Sequence, residues 1–172
     1  MEKQDLSFFQ LEAGDMPRLL AVIKMLGYQK ELEYLEQCFE RQNQGDMTIV
    51  LVVFEGVDVG YCMMNWAPKY SFFKVHELPE IQDLNILQAY RQRGIGRAVI
   101  KYCEGLARDK GCQEMGIGVG LDASYGAAQR LYIKMGYVPD GQGISYDRKQ
   151  IAHGEFRPVD DQLCLMMTKK LD

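Results

Sequence analysis

The hydrophobic positions of this chain change period several times, and each change marks a predicted element. Leu6 to Leu11 is an apolar run of strand length, and Gly14-Asp15 then offers a helix start. Pro17 stands near the first turn, where a missing N–H costs nothing. Leu19, Leu20, Ile23 and Leu26 recur at helical spacing until Gly27 ends the run. Lys30 to Gln44 predicts a second helix, with Leu32, Leu35 and Phe39 on its inner side. Thr48 to Phe54 is a β-branched run of the kind found in buried strands. Glu55-Gly56 supplies a turn, and Val57 to Trp66 returns as the hairpin partner.

Beyond it, Ala67 to Pro79 reads as an aromatic-rich loop, and Glu80 to Leu87 as a strand running into Arg91-Gln92-Arg93-Gly94-Ile95-Gly96. The next helix has the clearest pattern: Ile95, Ala98, Val99, Tyr102, Cys103, Leu106 and Ala107 share one face, and Gly111 closes it. Cys112 to Val119 predicts another strand. Ser124 to Met135 predicts a helix with Ala128, Leu131, Tyr132 and Met135 on one side. Gly136 caps that helix and Tyr137-Val138 begins a short strand. A polar stretch from Gly141 to Asp161 leads to a last strand, Leu163 to Thr168. The order strand, two helices, three strands, helix, strand, helix, two strands predicts an α/β fold. It implies a mixed sheet of roughly six to seven strands with about four helices on its faces, and one domain over residues 1–172.

Composition narrows the function classes. Hydrophobic residues make up 47% of the chain, enough for a real core. The net charge is −4, and the basic residues are spread out rather than striped. The electrostatic footprint of a nucleic-acid binder is therefore missing, while an acidic balance suits a cationic partner. The longest apolar run, Ile49 to Phe54, is far too short to span a bilayer. The first residues carry charges inside their apolar stretches, unlike a signal peptide or anchor, so a cytoplasmic protein is expected. Five cysteines lie scattered without a CxxC pair and read as free thiols in a reducing compartment. His76 and His153 have no ligand-like neighbours at metal spacing, and no metal site is expected.

Candidate chemistry enters with Arg91 to Gly96. Glycines there let the backbone turn tightly and approach a ligand. The first-turn N–H groups of the following helix have no intrahelical acceptor, and the positive helix end stands behind them. This is a site suited to phosphate, with Arg91, Arg93 and Arg97 adding charge. A Walker loop is excluded because no Lys-Ser or Lys-Thr follows, and the dinucleotide pattern fails at Val99. Gly118-Val119-Gly120-Leu121-Asp122-Ala123 fits that second pattern better and would imply a nucleotide-dependent oxidoreductase. It lacks a parallel βαβ unit after it. The alternation of Gly116, Gly118 and Gly120 with Met115, Ile117 and Val119 implies a bare strand face on which something packs closely.

Gln88 to Ile100, QAYRQRGIGRAVI, resembles the acetyl-CoA motif of the GNAT N-acetyltransferases, [RQ]-x-x-G-x-[GA] after the fourth strand. Ala127 to Pro139, AAQRLYIKMGYVP, is similar to the family's A-x-x-L-Y-x-K-x-G-F segment, and the element order agrees over nearly the whole chain. The resemblance implies acetyl-CoA as acyl donor and a bulge in the fourth strand. It implies cofactor contacts from Leu84, Ile86, Leu87, Arg91, Gln92, Arg93, Gly94, Ile95, Gly96, Arg97, Tyr125 and Tyr132. Tyr125 departs from the family pattern, which often has asparagine there. The Ile86 N–H would polarise the thioester carbonyl, a contribution worth about 10²–10³ in rate elsewhere.

Acyl transfer to an amine needs a free lone pair, stabilisation of the tetrahedral oxyanion and protonation of the leaving thiolate. Tyr132, a phenol of reference pKa about 10 against a thiol of about 8.5, matches the family's general acid. Glu80 matches the general-base glutamate of the histone acetyltransferase branch, with Asp83 or water as alternatives. An ammonium of pKa about 10.4 needs such a base near neutrality. A carboxylate at a strand edge is otherwise simply solvated. Trp66, Tyr70, Asp83 and Tyr146 are candidate acceptor contacts, and Asp160-Asp161 could attract a cation. The acceptor class stays open between a small-molecule amine and a peptide. A non-catalytic acyl-CoA-binding module is the alternative function, and a homodimer is expected by analogy alone.

Overall fold

The computed structural model describes residues 5–28 and 32–172. In chain order the elements are β1 (Leu6–Gln10), α1 (Met16–Met25), α2 (Leu32–Asn43), β2 (Met47–Phe54) and β3 (Val57–Asn65). They continue with α3 (Ser71–Val75), β4 (Glu80–Ile86), α4 (Ile95–Asp109), β5 (Glu114–Gly120) and α5 (Gly126–Lys134). The last are β6 (Val138–Tyr146), β7 (Lys149–Gln150) and β8 (Leu163–Lys170). The fold class is α/β as expected. The chain divides into two compact units, residues 1–66 with 81–103, and residues 67–80 with 104–172. The division passes through β4 and through α4. Among the described residues, no helix is long and apolar enough to cross a membrane.

In the first unit the strand order is β1-β2-β3-β4, with β2 antiparallel to both β1 and β3. All eight residues of β2 are buried, as its unbroken apolar run demands. Met47, Ile49 and Leu51 of β2 join Tyr61 and Met63 of β3 in one cluster with Leu19, Val22 and Ile23 of α1 and Leu35 and Cys38 of α2. Period-two faces of the strands thus meet period-3.6 faces of the helices. Gln42 of α2 ties the layers, donating to the Leu11 carbonyl and accepting from the Ile49 N–H, each at 2.7 Å. On α4, Cys103 Sγ lies 3.8 Å from Cys62 Sγ of β3, and Tyr102 stacks on Phe8 of β1.

In the second unit the order is β5-β8-β6-β7, every neighbour antiparallel. Tyr70, Phe73, Leu78 and Met166 form its apolar cluster. Glu104, almost fully buried, is compensated by Lys169 Nζ at 2.7 Å and by the Tyr137 hydroxyl at 3.3 Å.

Several expectations need correction. Among the described residues there are eight strands, close to the six or seven expected: within the polar stretch after Gly141, β6 continues to Tyr146 and turns directly into β7. Most of β6 is exposed, so it carries no apolar alternation to betray it. The described residues form five α-helices against about four expected, since the aromatic loop contains α3. In α2, Leu35 and Cys38 are buried but Leu32 is half exposed; the predicted start at Lys30 lies outside the described residues.

Candidate active site

The first unit builds a turn between β4 and α4. Within β4 the backbone at Asp83 has φ 48°, a left-handed conformation that costs a non-glycine residue about 1–2 kcal/mol. It breaks the pleat and ends simple face alternation from that point, as a bulge would. Asn85 steadies it, its Nδ2 donating to the Asp83 carbonyl at 3.0 Å and to the Tyr61 hydroxyl at 3.3 Å. On β3, a Cβ at Gly60 would fall 2.3 Å from the Asn85 carbonyl oxygen, so this close approach requires glycine. The Leu87 N–H donates to the Val59 carbonyl at 2.8 Å, and the Leu87 carbonyl accepts from Tyr90. Leu87 is therefore committed to the fold, and its amide is not open to a ligand.

Arg91 swings back along the strand, its Nε donating to the Ile86 carbonyl at 2.9 Å. Gln92 and Gly94 are left-handed, with φ 62° and 79°, and this reversal aims the chain into α4. Ile95 plugs into the core, while Arg91, Gln92, Arg93, Gly94 and Arg97 stay exposed. The Arg93 guanidinium lies 5.5 Å from the Tyr90 ring centroid and 5.9 Å from that of Phe54, which holds its charge beside the turn. The first α4 bond runs from the Ala98 N–H to the Gly94 carbonyl, 3.1 Å. The N–H groups of Ile95, Gly96 and Arg97 thus precede the helical ladder and, with the positive helix end, fit an anionic phosphate. The residues present suit the pyrophosphate of coenzyme A.

The second unit gathers the acid–base candidates. Glu80 opens β4 with its side chain fully buried, contrary to the solvated carboxylate typical of a strand edge. It accepts from Arg148 Nη1, and Arg148 comes from the turn between β6 and β7. Gly118 keeps a space beside it: a Cβ there would stand 3.0 Å from Met166 Sδ and 3.8 Å from Glu80 Oε1. Tyr70 is buried, donates to Asp140 Oδ2 at 2.8 Å and meets Phe73 edge to face at 4.9 Å. Burial pushes the Tyr70 phenol up, and the carboxylates of Asp140 and then Glu80 push the same way. Burial also raises the Cys164 thiol; Arg148 opposes that rise and Glu80, Asp161 and Asp160 add to it. These side chains share one electrostatic neighbourhood.

Tyr132 is buried on α5, its ring 6.3 Å from that of Tyr137. Tyr125 lays its ring on Gly120, where a Cβ would come within 2.4 Å, and donates to Asp161 Oδ1 at 2.8 Å. Tyr146 donates to Asp160 Oδ2 at 2.9 Å. Asp160 and Asp161, expected as a cation lure, each serve as a phenol acceptor. Trp66, in the first unit, donates its indole N–H to Thr48 Oγ1 at 2.9 Å. The oxidoreductase alternative fails on geometry: the Tyr125 ring fills the face of Gly120, and β5 pairs antiparallel with β8. Arg148's pairing with Glu80 and Asp140's with Tyr70 were not foreseen. The short polar turn at Asp147-Arg148 carries no signal that its side chain returns to β4.

Comparison with known proteins agrees with this geometry. The family model described as "Acetyltransferase (GNAT) family" matches residues 9–137. No curated protein sequence gives a significant match. Among solved structures, the chain resembles the Salmonella typhimurium acetyl transferase that modifies the N-terminal serine of a 50S ribosomal subunit protein. That pair has TM-score 0.73 and 11% identity, covering 99% of this chain and 97% of the other. A GNAT family acetyltransferase from Elizabethkingia anophelis with acetyl-CoA bound gives TM-score 0.65 and 17% identity, covering 98% and 100%. A chimera of the spermidine N-acetyltransferase from Vibrio cholerae gives TM-score 0.69 and 17% identity, covering 96% and 95%. At these identities the structural likeness speaks for the fold.

Proposed function

Because the chain belongs to the GNAT acetyltransferase family, we propose that it acetylates the primary amine of a small molecule or peptide, with acetyl-CoA as donor. The observation that carries this reading is the turn at Gly94, whose left-handed backbone opens α4 toward an anion with Arg91 and Arg93 held beside it. Bound there, acetyl-CoA supplies an activated acetyl thioester. The first-turn N–H groups of α4 would hold its phosphates, the Ile86 N–H would donate to the thioester carbonyl, and Leu84 would contribute backbone contacts. On the family pattern, the Tyr132 hydroxyl would give its proton to the departing thiolate. Glu80 orders the acceptor ammonium and accepts its proton, directly or through water.

Acidic side chains support a cationic acceptor: Glu80, Asp140, Asp160 and Asp161 share the second unit with Tyr70 and Tyr146. Neighbours of this fold act on a ribosomal protein N-terminus and on spermidine, which keeps both acceptor types in the panel. A cytoplasmic location accords with five free thiols.

The test is acetyl-CoA titration by calorimetry, then thiol release against a panel of polyamines, amino acids and peptide N-termini. Micromolar binding and turnover on one amine are expected. Tyr132→Phe should cut kcat by about 10²-fold, and Glu80→Gln by about 10²–10⁴-fold. One observation favours a second reading, a non-catalytic acyl-CoA-binding module: Glu80 already holds Arg148. Acetyl-CoA binding without turnover on any amine would support that module instead.

A further inference from the structure

Glu80 is fully buried, yet its cation is not part of the buried framework. An ionised carboxylate removed from water is costly unless a positive partner compensates it. Here the partner arrives on a surface turn, and about a third of the Arg148 side chain (35%) remains accessible to solvent. The turn has two residues, Asp147 and Arg148, between the paired Tyr146 and Lys149. Both are left-handed, with φ 47° and 62°, as a type I′ hairpin turn requires. Glycine or asparagine adopts that backbone readily, whereas arginine does so against its preference. The pairing thus joins a rigid buried carboxylate to a cation on a short, solvent-facing hairpin tip.

The surroundings suit an organic ammonium as well as they suit arginine. Phe72 and Cys164 pack on the Tyr70, Phe73 and Met166 cluster, which gives apolar walls. The Tyr70 phenol and its Asp140 acceptor add polar groups in the same electrostatic field as Glu80. We propose that Arg148 is a displaceable counter-ion, occupying on Glu80 the position that the acceptor's ammonium takes over. This rests on the reading of Glu80 as the acceptor-side carboxylate. Arg148 is then a specificity-determining residue: a cationic amine replaces the guanidinium charge for charge, which a neutral acceptor does not.

The experiment is calorimetric titration of n-butylammonium chloride into the full chain, wild type against Arg148→Gly, Arg148→Gln and the double variant Arg148→Gly/Glu80→Gln. Removing the competing guanidinium should tighten n-butylammonium binding at least tenfold, and Glu80→Gln in the same chain should abolish that gain. Methylguanidinium should raise the melting temperature of Arg148→Gly but not of the double variant. For an amine the enzyme turns over, Arg148→Gly should lower KM several-fold while kcat changes less. No tightening in either Arg148 variant, or a gain that survives Glu80→Gln, overturns the proposal. Arg148→Gln keeps the test decisive where the glycine variant does not fold. Full acetyl transfer by Glu80→Gln alongside tightened binding in Arg148→Gly would sink the base role and leave the counter-ion role standing. Loss of transfer in Glu80→Gln without tightening would do the reverse.

Discussion

At the start of α4, Gly94 has φ 79° and nothing within 4 Å of the position a Cβ would take. Along β5, Gly116 and Gly120 have no such torsion, yet a Cβ on either would run into an aromatic ring. The first glycine is there for its backbone, the second pair for their missing side chain. One residue type thus serves a backbone reversal at one place and close internal packing at another. A glycine-rich string alone does not separate these uses. Torsion and space do.

The largest effect should come from Gly116→Ala. Its Cβ would lie 2.3 Å from Cε2 and 2.4 Å from Cζ of Phe73, a ring that is itself fully buried and has nowhere to go. A loss of about 3 kcal/mol is expected, lowering the melting temperature by about 6–12 °C. A fall under about 2 °C would show that β5 tolerates filling and that Gly116 is not there for its missing side chain. Gly120→Ala meets the Tyr125 ring, which is only partly buried and can swing outward if it gives up Asp161. About 1–2 kcal/mol is expected, with Tyr125→Ala in the same chain restoring most of the difference. Gly118→Ala faces the flexible tip of Met166 and should cost under about 1 kcal/mol.

Gly94→Ala sharpens the other side. With open space around it, the substitution should cost about 1 kcal/mol through torsion alone. Acetyl-CoA affinity should nevertheless fall about tenfold, because the strained turn misaims the first N–H groups of α4. Gly94→Asn, which tolerates the left-handed region, should retain most of both. Equal losses of affinity in Gly94→Ala and Gly116→Ala would mean that binding merely follows stability.

The smallest effect concerns Tyr70, in the glycine-packed unit. Its phenol is raised in the folded chain, so the folded state holds that proton more tightly than the unfolded one. The resulting stability is fully present below the unfolded value of about 10 and is lost as pH rises beyond it. Denaturation midpoints between about pH 9 and 11 should therefore fall less steeply in Tyr70→Phe than in the parent chain. An unchanged slope would remove Tyr70 as a titrating contributor.

The amphipathic stripe of α4 and the apolar run of β2 were legible because their periods are local; every residue of β2 is buried, and Ile95, Val99, Cys103 and Ala107 of the stripe are too. The turn from Arg91 to Gly96 was legible for the same reason: a strand, a glycine and a helix start are consecutive in the chain. What failed was the polar edge. Strand β6 is largely exposed and left no hydrophobic rhythm, so its hairpin with β7 passed for a loop.

Local pattern was enough for most of the element order, for the phosphate-suited turn and for the bare face of β5, since each depends on neighbours a few residues apart. What meets that face and what meets Glu80 emerged only in the folded chain. Phe73 and Tyr125 reach their glycines, and Arg148 reaches a carboxylate 68 positions away, through contacts that no spacing rule encodes. Torsional preference is carried residue by residue, whereas compensation of a buried charge depends on which surface the fold brings over it.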